Sequence, residues 1–403
     1  MAETTHTTPL PLEGIKVLEC CSFLAGPFCA SLLADYGAEV IKVEPPKTGD
    51  TWRKNGVLYK GVGIDFISDN RNKKGITLNF KHPKGQEIAR KLAARSDVML
   101  ENFREGVLEE WGLGYEDLRK INPGLIMVRI SGFGQTGPYR HRPAFGRIAE
   151  AMSGIVYMLG EPSSPPAIAG VALGDLTTGQ QCAFSIMIAL WHRQKTGEGQ
   201  WLDAALCESL FRLLEGLPAV YQLTGKVRER EGAWNPLNPT NGHYQAGDGN
   251  WLAIRSHSDA TAQRLFKLMS RPEMAADPRF ATHEARIRNG EDVKVAVTEW
   301  VSKHTRKEVL STLEANEIAC GPINSIADVM ADPHFRERQA FVEVEHPVLG
   351  KVLQSRPAPR LSKTPGRIAT LGPELGQHNE DVYCGILGLS KDEVAGLREE
   401  GVI

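Results

Sequence analysis

The chain has 403 residues, 41% of them hydrophobic and 24% charged, with 47 basic residues against 49 acidic ones for a net charge of −2. That balance offers no clustered cationic surface for a nucleic acid, and no apolar run approaches the ~18 residues of a membrane span. Two or three domains of an ordinary globular protein fit this length.

The N-terminal stretch MAETTHTTPLPLEG has no basic n-region and no apolar core, which argues against a targeting peptide. Seven scattered cysteines, with only Cys20 and Cys21 adjacent and no C-x-x-C pair, read as reduced thiols of a cytoplasmic protein. The eleven histidines form no H-x-x-x-H or H-E-x-x-H arrangement, so no metal site is expected.

In chain order, Ile15–Leu18 predicts a strand, Gly26–Ala34 a helix ended by Gly37, and Val40–Val43 a second strand closed by Glu44. This is a β-α-β unit with its acidic residue where a dinucleotide fold holds ribose. Its first turn, however, has one glycine where that fingerprint requires three, which disfavours NAD or FAD. Asn70–Gly75 is a basic run, either a solvated loop or a phosphate-binding one, leading into a strand at Ile76–Phe80. A helix from Pro83 to Ala94, a strand Asp97–Leu100 and a strand Leu125–Ile130 follow. The glycine-rich segment Ser131–Tyr139 then has the composition of a strand-end loop. Four such β-α repeats predict a Rossmann-like parallel sheet covered by helices.

Phe145–Gly154 predicts a short helix carrying Arg147 and Glu150. Ala169–Trp191 begins with small residues, passes through the single carboxylate Asp175, and continues apolar, with Cys182 the only ionisable group before His192. It predicts a helix buried on most sides, with Asp175 where it begins. Asp175 then has two compatible readings. It is an N-cap accepting the first-turn N–H groups, or a carboxylate kept ionised by the helix dipole and available as a nucleophile. Beyond a strand at Trp201–Ala204, the texture changes at Gly225. The expected domains are a large one over 1–225, a smaller α+β domain over 226–326, and a return segment over 327–403 that completes the large domain. The return segment is expected to hold a hairpin around Pro347–Gly350 and a final helix at Lys391–Glu399.

Five ordered strings carry a family likeness: FLAGPFCASLLADYGAEVIKVEPP from Phe23, NRNKKGITLNFK from Asn70, ENFREG from Glu101, ISGFGQTGPY from Ile130 and KTGEGQWLD from Lys195. Together they resemble the class III CoA-transferases, the family of formyl-CoA transferase and carnitine CoA-transferase. The likeness runs over nearly the whole chain and is strongest from Leu12 to Leu214. It implies an interlocked homodimer and transfer of CoA from an acyl-CoA to a free carboxylic acid through an aspartyl anhydride and an enzyme-CoA thioester. Coenzyme A enters as substrate, with no permanently bound cofactor.

Under that resemblance Asp175, in GDLTTG, matches the nucleophile. Leu24 and Ala25 match the turn near the nucleotide, Leu78 and Lys81 match positions near adenine and phosphate, and Asn102 and Phe103 match the pantetheine path. Two family cations are replaced here by Pro45 and Glu110, so Arg71, Lys73, Lys74 and Arg104 are the candidates to supply phosphate charge. Phe145 and Gly146 stand where formyl-CoA transferase has Tyr and Glu. Phe145 is grouped with the CoA-binding set, and Gly146 and Arg147 with a dicarboxylic acceptor such as succinate, malate, mesaconate or itaconate. Two alternatives are a racemase of the α-methylacyl-CoA type and a catalytically silent CoA-binding protein. The racemase needs a histidine at the position held by Phe145, and proton transfer at carbon needs that second acid/base. His141, four residues upstream, reads as a loop residue.

Overall fold

The computed structural model describes residues 9–403, so the segment read for a targeting signal lies, through Thr8, outside the described residues. Six strands form one parallel sheet: β1 (Lys16–Cys20), β2 (Glu39–Glu44), β3 (Lys73–Thr77), β4 (Val98–Glu101), β5 (Ile126–Ser131) and β6 (Trp201–Ala205), in the spatial order β3-β2-β1-β4-β5-β6. The central strands are near-continuous apolar runs because both faces are covered. Leu18, Ile76, Met99 and Met127 face one core, which Tyr383 and Val402 of the C-terminal segment help to fill. Val17, Val40, Leu100 and Val128 face the other. The first core takes α2 (Pro83–Ala93), and the second takes α1 (Ala25–Ala34) and α4 (Leu173–Thr196). Two short helices, α3 (Gly146–Met152) and α5 (Leu206–Phe211), complete the surroundings of α4.

Two expectations are corrected here. β3 begins at Lys73, three residues before the predicted strand, so the basic run is partly sheet and not a solvated loop. The reason is a buried ion network: Glu19 on β1 lies 2.7 Å from Lys73 and 2.9 Å from Lys42, and Lys42 lies 3.0 Å from Asp50. Paired charges of this kind are tolerated inside, where lone ones are not. Second, α4 is not buried on most sides. Gly174, Thr178, Cys182, Ile186 and Ala189 make its one buried stripe, whereas Phe184 (68%), Ile188 (53%) and Trp191 (60%) are exposed. Apart from Ile186, the helix packs through its small residues, and Phe184, Met187, Ile188 and Trp191 face away.

The chain divides into two compact units. The first holds the chain through Ile155, Gly170–Glu215 and Glu337–Ile403, and the second holds Val156–Ala169 and Gly216–Arg336. The division thus falls at Gly216 and Glu337, where composition placed it after 225 and 326. In the second unit β7 (Gly242–Gln245), β8 (Trp251–Arg255) and β9 (Ala319–Pro322) form an antiparallel sheet with β8 in the centre. Helices α6 (Asp259–Leu268), α7 (Gly290–Val301) and α8 (Arg306–Ala315) pack on it around Leu252, Phe266, Val297 and Leu313. In the returning segment β10 (Phe341–His346) and β11 (Gly350–Ser355) form the expected hairpin, and α9 (Lys391–Glu399) is the final helix. All seven cysteines are free among the described residues. No helix there is long and apolar enough to cross a membrane, and no cluster of His, Cys, Asp or Glu is arranged to hold a metal.

Candidate active site

Helix α4 reaches its position because glycine allows it. A Cβ on Gly179 would lie 2.8 Å from the Ala25 carbonyl oxygen and 3.0 Å from the Phe28 ring. The helix therefore lies directly on α1, beside the turn that follows β1. Ala172 is its N-cap and has no side chain to cap with, so Asp175 is the third helical residue and not the cap. The carboxylate stands in the first turn, where the dipole favours negative charge.

Opposing that dipole are two larger effects. Burial and the neighbouring Glu150 carboxylate raise Asp175 from its ordinary 3.8 to about 6, while Arg147 pulls it down. The helix dipole is therefore not what sets the basicity of Asp175. Asp175 is ionised above about pH 6 and is more basic than a surface aspartate.

Facing Asp175 is the start of α3. Gly146 is buried against it, and a Cβ there would overlap Oδ2 and stand 2.8 Å from Cγ. The next residue, Arg147, donates from Nη1 to Glu150 Oε2 at 2.8 Å, and its side chain remains 46% exposed. Glu150 Oε1 accepts from the Gly174 N–H at 3.0 Å. Glu150 is buried and joins α3 to the first turn of α4, a role that nothing in its sequence setting marked. Phe145 caps α3 as an exposed aromatic whose ring lies 5.5 Å from that of Phe23, and Phe23 in turn lies 5.8 Å from Trp52. Phe23 has φ +66, a left-handed backbone held by its N–H donating to Asp50 Oδ1 at 3.1 Å. Neither Phe23 nor Trp52 stood out in the sequence, because their meeting depends on the Asp50 carboxylate that also takes the Trp52 N–H.

The CoA candidates separate into two kinds. Leu24 and Ala25 are buried in the turn after β1, and Asn102 clamps that turn, its amide donating to the Ser22 carbonyl at 2.8 Å and accepting the Ser22 N–H at 3.1 Å. Leu78 is a core residue, 1% exposed. Phe103 packs edge-on against Phe80 and Trp111, which stack on each other with an interplanar angle of 3°. Its N–H donates to Glu101, a buried carboxylate raised to about 7 by burial against the opposing pull of Arg129. Beside that aromatic cluster Lys81 and Arg104 are exposed, and neither makes an ion pair among the described residues.

The remaining cations are engaged. Arg71 is buried and holds Asp35 through two nitrogens at 2.9 and 2.5 Å, with a third contact to the Ser355 carbonyl. Its assignment to phosphate is corrected: it ties the β11 end to α1. Lys73 is buried on Glu19, and Lys74 pairs with Glu39 at 2.7 Å. His141, the only histidine near the position a racemase would use, is 66% exposed and pairs with Glu105 at 2.6 Å. Phe145 brings no acid or base to Asp175.

The profile of CoA-transferase family III matches residues 12–379. Over 401 residues the chain is 43% identical to succinyl-CoA–D-citramalate CoA-transferase of Chloroflexus aurantiacus, covering 99% of this chain and 100% of that one. It is 44% identical to the β subunit of succinyl-CoA–L-malate CoA-transferase from the same organism, covering 98% and 99%. Among solved structures, a CaiB/BaiF family protein from Brucella suis superposes with a TM-score of 0.84 at 35% identity, over 94% of this chain and 100% of that one. With its parallel sheet, its glycine-packed α4 and a profile match that spans both units, this chain belongs to CoA-transferase family III.

Proposed function

We propose that this enzyme transfers CoA from succinyl-CoA to a small dicarboxylic acid of the malate or citramalate type, with Asp175 as the nucleophile. The observation that carries the reading is the Asp175 carboxylate, raised in basicity and set against Gly146 with Arg147 alongside. The family membership and the substrates named for its relatives support the donor and the acceptor class.

In the reaction, an Asp175 oxygen attacks the thioester carbonyl, the C–S bond breaks, and CoA leaves as thiolate. The thiolate then attacks the aspartyl carbonyl of the mixed anhydride, releasing the donor acid as its carboxylate and leaving CoA on Asp175. The acceptor carboxylate repeats the exchange in reverse and restores the Asp175 anion. No net proton or electron moves, so the demand on the site is an ionised, basic carboxylate and a pocket that orders three acyl groups.

Arg147 takes the acceptor's distal carboxylate, because its exposed guanidinium face is free for a second fork beside Glu150. Lys81 and Arg104 take CoA phosphates next to the Phe80–Phe103–Trp111 cluster, Arg104 standing in for the cation replaced by Glu110. These assignments predict a crossed kinetic result. Arg147→Lys keeps the charge facing Glu150 but loses the fork, and is expected to raise the acceptor KM roughly tenfold with the acyl-CoA KM unchanged. Arg104→Ala and Lys81→Ala are expected to raise the acyl-CoA KM about fivefold and leave the acceptor KM alone. Equal effects on both constants would refute the division.

The subunits pair as a homodimer. The uncovered face of α4, with Phe184, Met187, Ile188 and Trp191, supports this, since a contiguous apolar face of that kind marks an interface. Sedimentation equilibrium is expected to return about twice the 44.3 kDa chain mass, and a single-chain mass would remove the proposal.

The activity is tested by incubating the enzyme in D2O with succinyl-CoA and a panel of dicarboxylates, and resolving the CoA esters by mass spectrometry. New esters of the added acids are expected, with no deuterium gained. Deuterium at the α-carbon of an unexchanged ester would establish a racemase instead, and neither change would overturn the proposed transfer to these dicarboxylates.

A further inference from the structure

Glu150 is a fully buried carboxylate with both oxygens committed. Oε1 accepts from Gly174 N–H at 3.0 Å and Oε2 from Arg147 Nη1 at 2.8 Å, and only 1% of the residue is exposed. Gly174 is the second residue of α4, so its N–H is one of the first-turn donors left without an intrahelical partner. Those donors are ordinarily met by the N-cap side chain, and here the N-cap is Ala172. The fit is close on every side. A Cβ on Gly174 would lie 3.1 Å from the Gly146 carbonyl oxygen, 3.3 Å from Leu210 and 3.4 Å from Glu150 Cγ. The Glu150 backbone carbonyl is held in turn by Ser153 Oγ at 2.9 Å.

We propose that Glu150 is a positioning residue for Asp175: from α3 it supplies the cap that α4 lacks, and it keeps a like charge beside the nucleophile in the resting enzyme. The inference rests on the reading of Asp175 as nucleophile. Its consequence is electrostatic as well as geometric. Two carboxylates that share a low-dielectric site repel, and the repulsion is relieved when one is converted to a neutral anhydride or thioester. Acylation of Asp175 is thus favoured by the neighbour that makes its free anion costly, while Arg147 pairs with Glu150 at 2.8 Å and balances its charge.

The charged surroundings leave Glu150 and Arg147 as the groups that act on Asp175. Helix α1, packed along α4, carries no ionisable residue but Cys29. Helix α5 carries Cys207 and Glu208, and the adjoining strands β5 and β6 carry Arg129 and Asp203. Arg129 is spent on Glu101 and Glu109, and Asp203 on the Gln135 N–H.

The test is Glu150→Gln, which keeps the shape and one acceptor oxygen but removes the charge, compared with the parent and with Asp175→Asn. Expected for Glu150→Gln is a fall of about tenfold in kcat at pH 8 with the acyl-CoA KM within twofold. The acid limb of the kcat/KM profile is expected to move below its parental position near pH 6. A variant that loses thermal stability but keeps the parental kcat and acid limb would show Glu150 to be a structural cap only and overturn the proposal. Should Glu150→Gln fail to fold, Glu150→Asp reports in its place. It retains the charge and is one methylene too short to span both donors, so kcat is expected to fall while the acid limb stays. An unchanged kcat in that variant would overturn the proposal equally. Activity in Asp175→Asn would instead remove the nucleophile assignment, a failure these measurements keep distinct.

Discussion

Replacing Asp175 by asparagine is expected to abolish formation of new CoA esters, with a loss of roughly 10^4-fold or more in kcat. An amide oxygen cannot open the thioester, and no neighbouring group is placed to substitute: Glu150 is buried with both oxygens occupied. The measurement is the same mass-spectrometric exchange used for the parent enzyme, and residual exchange within a hundredfold of the parent would discard Asp175 as nucleophile. The same variant has a second expected signature, in stability. The folded protein binds the Asp175 proton more tightly than the unfolded chain, about 6 against 3.8. Relative to the ionised state, that preference stabilises the fold fully below about pH 4 and is lost as pH rises through 6. Above pH 7 the parent therefore holds an anion that its fold disfavours by on the order of 3 kcal/mol, a cost that neutral asparagine avoids. Asp175→Asn is expected to melt above the parent at pH 8 and together with it at pH 4. An active-site residue whose removal ends activity and raises the melting temperature is serving chemistry at the expense of stability.

The second large effect is expected at Gly146. Its backbone has no unusual dihedral to explain the glycine, so the reason is space: the Asp175 carboxylate occupies the volume a methyl group would need. Gly146→Ala is expected to lower kcat/KM by about a hundredfold, because the carboxylate must turn or α3 must withdraw, and a displacement near 1 Å costs that much at a reacting centre. Stability is expected to change far less than activity, since what stands in the way is the end of a side chain and not backbone. Near-parental kcat/KM in Gly146→Ala would mean that the Asp175 rotamer in this structure is not the reactive one.

Much of this was legible in the linear chain. Short apolar runs such as Val98–Leu100 and Ile126–Val128, alternating with helical segments in four β-α repeats, fit strands covered on both faces, so the parallel sheet followed from pattern. Asp175 stood out as a lone carboxylate at the start of a long uncharged segment, where it also read as a helix cap, and the ordered motifs around it carried the family and with it the proposed role of nucleophile. The acceptor class followed from Arg147 on weaker grounds, a single cation beside a missing tyrosine and glutamate.

What the tertiary structure decided is where each charge is spent. Arg71, Lys73, Lys81 and Arg104 look alike in a sequence, yet two are buried on Asp35 and Glu19 and two stand free beside stacked aromatics. A cation's role depends on the partner that folding brings to it, and Asp35 and Glu19 lie far from those residues along the chain. The same holds for the basicity of Asp175, which the helix dipole alone would have lowered and which burial with Glu150 raises. It holds also for α4, whose apolar residues are all visible in the sequence but are divided by packing into a covered stripe and an open face. Periodicity and composition are local properties and shape the elements. Desolvation and charge pairing are sums over neighbours in space, and only the folded chain sets them.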